Sequence, residues 1–222
     1  MYDWPIPEIQ AALDGPVQKV AAKNVRDAVT KAGYGARLAD FLADFYPVAN
    51  GGTFYQGALR VLPLEGIPEQ RPSLVEWNEL EEWKQFAPPG CRKTFYFLSN
   101  AFGDLLGVPL NDQRDLAKDT TSIVWVESFK QEESALGWDE IFRKFLKNED
   151  HMATFLARLK EYDWAVGGLG RPDPDQCFSW KLLPAMGGSE GLDNLQIVST
   201  YVHVSFTFQV FRQHLDANPP TP

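Results

Sequence analysis

Hydrophobic residues recur at helical spacing near the start of the chain. The apolar positions of the first stripe are Val17, Val20, Ala21, Val25, Ala28 and Val29. They predict a helix that begins at Gly15-Pro16, where proline is tolerated near a helix start, and runs to Ala32. A second apolar stripe over residues 38–45 predicts another helix, which stops before Pro47 because proline lacks the N–H that a further turn needs.

Shorter apolar and aromatic runs follow, separated by turn residues, and these predict β-strands. Asn50-Gly51-Gly52 is a strong turn signal, and residues 53–55 and 59–62 after it predict the arms of a short hairpin. Three further strands are predicted, at residues 94–98, 105–110 and 122–126.

Residues 73–85 carry a different pattern, in which glutamates are interleaved with bulky apolar residues. Ser73 is a suitable N-cap, and Glu76 stands at the capping-box position three residues later. The pattern predicts a helix whose aromatic residues face the core and whose glutamates face water.

Helical spacing returns in the C-terminal half. Apolar stripes over residues 138–146 and 152–159 each predict an amphipathic helix, and a strand is predicted after Pro174. Residues 192–215 alternate as in a strand but also carry an apolar stripe at helical spacing. Because this element is long, we predict a helix.

These elements together predict a mixed α/β (α+β) protein with a helical N-terminal part. Its antiparallel central sheet is flanked by helices. We divide the chain into residues 1–72 and 73–215, packed against each other as one unit. The proline-rich residues 216–222 are predicted to be a disordered tail.

The excess of acidic over basic residues bears on which kinds of partner the protein can bind. Thirty acidic and 21 basic residues among 222 give a net charge of −9, which repels phosphate backbones and attracts basic proteins. Solubility alone is the simpler explanation of such a charge. No stretch is apolar enough for a membrane span. The N-terminus lacks the basic region followed by an apolar stretch that is typical of a secretory signal. With only two cysteines, expected to be reduced, the sequence predicts a cytoplasmic protein.

Candidate catalytic groups are few. Cys177 could act as a nucleophile if His203 and Asp175 lay beside it, but a buried inert cysteine is the simpler interpretation. Asp173, Asp175 and His203 could hold a metal, yet Asp-Pro-Asp is more typical of a turn. The glycine pairs at 167–168 and 187–188 match no phosphate-binding fingerprint. We therefore predict no catalytic residues, no metal and no cofactor.

Acidic residues are the better candidates for binding a protein partner. The carboxylates of Glu76, Glu79, Glu81 and Glu82 could imitate phosphates toward a basic groove, although a solvated helix face is the simpler interpretation of the sequence alone. The other candidates for partner binding are Asp139, Glu140, Asp173, Asp175 and Glu190.

The stretch QCFSWKLLPAMGGSEGLDNLQIVSTYVHV, residues 176–204, resembles the C-terminal immunity domain of bacterial type VI secretion DNase immunity proteins. FLSNAFGDLLGVPL and WDEIFRKFL upstream stand where that family has a strand pair and a helix. Residues 15–64 are similar to the GAD-like domain that precedes it, and FYP with NGG is similar to the broader SUKH-type immunity proteins.

The resemblance implies a cytosolic antitoxin without enzymatic activity. Such a protein binds one cognate DNase toxin in a one-to-one complex and keeps it from DNA by blocking its active site or its DNA-binding surface. Two alternatives stay open: a SUKH-like interaction scaffold with no toxin partner, and a hydrolase that uses Cys177 or an acidic pair.

Overall fold

The computed structural model describes residues 2–15, 17–66 and 72–217. Three helices come first along the chain: α1 (Ile6–Ala12), α2 (Ala22–Lys31) and α3 (Ala36–Ala49). Helices α2 and α3 pack closely against each other, and α1 lies on α3. The two predicted N-terminal helices therefore exist with different ends, and α1 was not predicted.

The predicted start of the first long helix at Gly15-Pro16 is wrong, since α2 begins at Ala22. Residues 17–20 are not helical, because the backbone of Gln18 bonds to Asn50 and not to neighbouring residues of a helix. The N–H of Gln18 donates to the backbone oxygen of Asn50, and the side-chain amide of Asn50 donates to the backbone oxygen of Gln18. Pro16 itself lies outside the described residues. The predicted stop before Pro47 is also wrong, because α3 continues to Ala49 and its last turn tolerates the missing N–H.

Six antiparallel strands form the main sheet, with neighbours in chain order. They are β1 (Thr53–Phe54), β2 (Leu59–Val61), β3 (Thr94–Asn100), β4 (Leu105–Pro109), β5 (Thr120–Trp125) and β6 (Lys130–Gly137). The predicted hairpin and the three strands after it are confirmed. Strand β6 was missed because, among the described residues, it pairs with β5 alone, most of its side chains are polar and none of them is fully buried.

The helix predicted over residues 73–85 is wrong. Two short 3₁₀ turns, Glu76–Asn78 and Trp83–Gln85, take its place, although the capping box between Ser73 and Glu76 does form. The amide of Asn78 explains the difference, because its nitrogen donates to the backbone oxygens of Leu74 and Tyr96. Tertiary hydrogen bonds to the sheet thus replace those of a helix.

Helix α4 (Trp138–Lys147) confirms the first C-terminal prediction. The second predicted helix is split into α5 (Met152–Leu156) and α6 (Leu159–Leu169), because Arg158 between them adopts a left-handed conformation with φ of 51°.

A second, two-stranded sheet pairs β7 (Gln176–Trp180), the strand predicted after Pro174, with β8 (Leu195–Ser199). The prediction of one helix over 192–215 is therefore wrong at its start, since the chain pairs with β7 before α7 (Thr200–Ala217) begins. Because α7 continues through Asp216 to Ala217, the predicted disordered tail is wrong at its first two positions, and residues 218–222 lie outside the described residues.

One continuous aromatic core joins the first residues of the chain to α3, to the main sheet and to α4. The ring of Trp4 lies 4.7 Å from that of Phe45 on α3 and 5.4 Å from that of Phe142 on α4. Trp138 of α4 in turn lies 4.7 Å from Phe97 at the centre of the sheet. The predicted class, an α+β protein with an antiparallel sheet and packed helices, is confirmed. Within the described residues, no helix combines the length and the apolar character needed to cross a membrane.

Candidate partner-binding site

The predicted glutamates Glu76, Glu79, Glu81 and Glu82, which we call the acidic surface, are all exposed. Glu76, Glu79 and Glu82 lie near the first turn of α7. The hydroxyl of Tyr201 donates to Oε2 of Glu82 at 2.9 Å, and its ring lies 5.2 Å from that of Trp77. Burial first, and then the charges of Glu82, Glu79 and Glu76, raise the pKa of Tyr201. At least three of the four carboxylates thus act on the same hydroxyl.

The other predicted acidic residues do not join this surface as one patch. Asp139 is half-buried in the first turn of α4, and exposed Glu140 pairs with Lys144 at 3.2 Å. Asp173 is exposed, whereas Asp175 is half-buried and lines a small cavity with Trp77 and Tyr201. Glu190 is exposed at the edge of a different cleft. The nine candidates are therefore dispersed over several parts of the surface.

A buried ion cluster, not predicted from the sequence, underlies that second cleft. Arg158 contacts Oδ2 of Asp104 at 3.5 Å and Oε2 of Glu127 at 3.1 Å, and its guanidinium lies 4.0 Å from the ring centre of Phe102. Burial raises the pKa of Asp104 and of Glu127, and the charge of Arg158 opposes both shifts. Asp104 is 1% exposed, and its negative charge is stabilised by Arg158 and by hydrogen bonds from the side-chain amide of Asn100 and the backbone N–H of Val126.

The cleft above this cluster has a volume of about 590 Å³. We call it the tryptophan cleft and define it by Glu127, Arg158, Glu161, Trp164, Trp180 and Glu190. The two indole rings lie 6.5 Å apart at an angle of 43°, and Trp164 is 41% exposed. Helix α6 carries Glu161 and Trp164 one turn apart, and β7 carries Trp180.

The residues considered for nucleophilic chemistry are buried. Cys177 is inaccessible, and burial raises the pKa of its thiol to about 12, so a thiolate is scarce near neutral pH. His203 lies nearby, because both side chains pack around Gly103. Burial lowers the pKa of His203 to about 4, and its Nδ1 lies 3.3 Å from the hydroxyl of Thr207. This pair is a neutral part of the core and has no access to a substrate.

Comparison with known proteins gives a family match for part of the second half of the chain. Residues 135–210 match the family model of the T6SS immunity protein Tdi1, C-terminal. No curated protein matches the sequence. Among solved structures, the "Crystal structure of Atu4351 from Agrobacterium tumefaciens" is similar, with a TM-score of 0.59, 16% identity, and coverage of 94% of this chain and 89% of that chain. At this identity the similarity shows the fold alone.

Residues 135–210, here called the Tdi1-like segment, supply most of the tryptophan cleft. They contribute Arg158, Glu161, Trp164, Trp180 and Glu190, whereas Glu127 comes from the main sheet side. The acidic surface lies outside the segment, but the Tyr201 that contacts it lies inside. Both surfaces therefore border the part of the chain that matches an immunity protein.

Sequence reasoning missed the ion cluster because its three members are far apart along the chain and no local pattern marks a buried charge. One signal for the cleft was available. Trp164 stands next to Asp163 and three residues after Glu161 on a helix, and a tryptophan among charged residues on an exposed face is typical of a contact surface.

Proposed function

We propose that this protein is an immunity protein that binds and neutralises a cognate secreted DNase toxin. The observation that carries the proposal is the match of residues 135–210 to the T6SS immunity protein Tdi1 C-terminal model. The DNase specificity, the one-to-one complex, the cytoplasmic location and the GAD-like character of the N-terminal region belong to the proposal and rest on the sequence resemblance.

Charge supports a basic partner of this kind. A net charge of −9 attracts a protein whose own surface is built to bind DNA. The acidic surface offers four exposed carboxylates for the encounter. On α7, Val202 and Phe206 are 59% and 65% exposed, and such apolar side chains can slow dissociation once the complex has formed.

The proposal makes inhibition a matter of steric occlusion, either of the catalytic cleft or of the DNA-binding surface of the toxin. No residue of this chain has to react. The buried state of Cys177 is consistent with this, since a core thiol contributes packing and no chemistry.

Co-expression with the toxin gene tests the proposal directly. We expect cells that carry the nuclease encoded next to this gene to survive only when this protein is present, and the two proteins to co-purify. If the neighbouring product is not toxic, or if it is toxic and this protein neither binds nor protects, the immunity function is wrong and a scaffold role is favoured.

A charge series tests the role of the acidic surface. Replacing Glu76, Glu79, Glu81 and Glu82 by glutamine keeps the side-chain acceptors and removes the charge. We expect the association rate with the toxin to fall about tenfold at low salt, and the difference to vanish at high salt. A matched control replaces four exposed carboxylates elsewhere, Glu8, Asp27, Glu132 and Glu133. Equal slowing by both sets would show that only net charge matters.

A further inference from the structure

We propose that the tryptophan cleft is a receptor for an arginine side chain of the partner toxin. This inference rests on the proposed immunity function for the identity of the partner. The recognition chemistry, a guanidinium held between indole faces and carboxylates, follows from the residues of the cleft itself.

The aromatic walls suit a flat cation. The rings of Trp164 and Trp180 are inclined at 43° with centres 6.5 Å apart. A guanidinium stacks on tryptophan better than on any other side chain, and the attraction grows when water is displaced from the contact. The cleft shows this stacking within the protein, where Arg158 lies 4.0 Å from the ring centre of Phe102.

The charges of the cleft favour a cation over an anion. Glu127, Glu161 and Glu190 line it together with the bases Arg158 and Lys160. Arg158 is already engaged by Glu127 and by the buried Asp104 beneath, so it has little positive charge to offer a ligand. Glu161 and Glu190 are both exposed and can close on a guanidinium from outside.

One further acceptor lies deeper. Oε2 of Glu127 bonds to Arg158, whereas Oε1 is buried and makes no hydrogen bond of normal geometry among the described residues. The indole of Trp180 lies close enough to this carboxyl to oppose the rise in its pKa, so the carboxylate and one aromatic wall of the cleft are neighbours. A buried carboxylate oxygen without a donor is costly, and a cation brought into the cleft reduces that cost by adding positive charge beside it. A lysine also supplies charge, but it lacks the planar shape that matches the indole faces.

The first experiment uses the full chain without a toxin. Acetyl-arginine amide is titrated into the protein while the indole N–H signals are followed by NMR, with acetyl-citrulline amide as the uncharged isostere and inorganic phosphate as an anion. We expect saturable shifts of the Trp164 and Trp180 signals with arginine only. Equal shifts with citrulline, shifts with phosphate alone, or no shifts at all would overturn the proposal.

The second experiment uses the toxin complex. Trp164→Ala and the double variant Glu161→Gln/Glu190→Gln should each weaken toxin binding about tenfold or more. The control Glu132→Gln/Glu133→Gln should not. Circular dichroism and the melting temperature confirm folding; all four carboxylates are exposed, so the double variant stays informative if Trp164→Ala is unstable.

The two proposals fail in different ways. If the wild-type protein does not bind the toxin, the immunity function fails, and the arginine titration still decides the chemistry of the cleft. If the wild type binds and protects, but the cleft variants bind equally well, the immunity function stands and the cleft proposal is wrong.

Discussion

The buried His203 makes the stability of this protein sensitive to acid. Its side chain is 4% exposed, Nε2 has no hydrogen-bond partner among the described residues, and burial lowers the pKa from 6.5 to about 4. The folded state therefore holds the neutral imidazole, while the unfolded chain binds a proton near pH 6.5. The contribution to stability is complete above that pH and is lost progressively as the pH falls toward 4.

The size of the loss follows from the two pKa values. Between about pH 7.5 and pH 5, protonation of the unfolded chain at this one group costs about 2 kcal/mol of folding free energy, and about 3 kcal/mol once both states are protonated. Cys177 beside it, with a thiol pKa of about 12, does not titrate in this range.

Urea unfolding at several pH values measures the effect. Carboxylates also titrate below pH 5, so the informative quantity is the difference between the wild type and His203→Gln, which cannot titrate. We expect the wild type to lose about 2 kcal/mol more than the variant between pH 7.5 and 5. Replacement of the exposed His151 by glutamine is the matched control. If the wild type and His203→Gln lose stability in parallel, the reasoning from burial is wrong.

Four further variants test the packing, each by chemical denaturation. Gly188→Ala should destabilise by about 3 kcal/mol, because a Cβ there would lie 1.9 Å from a backbone oxygen, whereas Gly167→Ala, with nothing within 4 Å, should stabilise α6 by about 0.5–1 kcal/mol. Arg158→Met should cost about 3–5 kcal/mol because it leaves Asp104 buried without its ion-pair partner; a cost under 1 kcal/mol would contradict this. Cys177→Ala should lower stability by about 1 kcal/mol and leave toxin protection intact, and a folded variant that fails to protect would revive the hydrolase alternative.

Local patterns predicted much of the fold. The strands around residues 94–126 and the helix at 138–147 are correct because their apolar residues face one shared core, so burial and local preference agree. The division of the chain at residue 72 stays a prediction, as do the nine acidic candidates for partner binding.

Two of the misses have a common physical cause. Residues 73–85 have a helical pattern, but Asn78 binds the sheet, and residues 195–199 have a helical pattern but pair with β7. In both places the hydrogen bonds are made with a strand that is distant along the chain, and a local sequence pattern does not show which distant strand will be the partner. On α7 the apolar residues do not all face inward: Val202 and Phe206 face solvent, while Phe208 and the histidine His203 face the core.

The aromatic contacts of Trp4 with α4 constrain how this protein can evolve. Residues 135–210 do not form a separate hydrophobic core, because the rings of Trp138 and Phe142 in that segment pack against the ring of Trp4 near the start of the chain. A recombination event that exchanged only the second half for that of a relative would leave mismatched rings at the junction. New binding specificity is therefore more readily acquired by substitutions on the outward surfaces, with the two halves inherited as a matched pair.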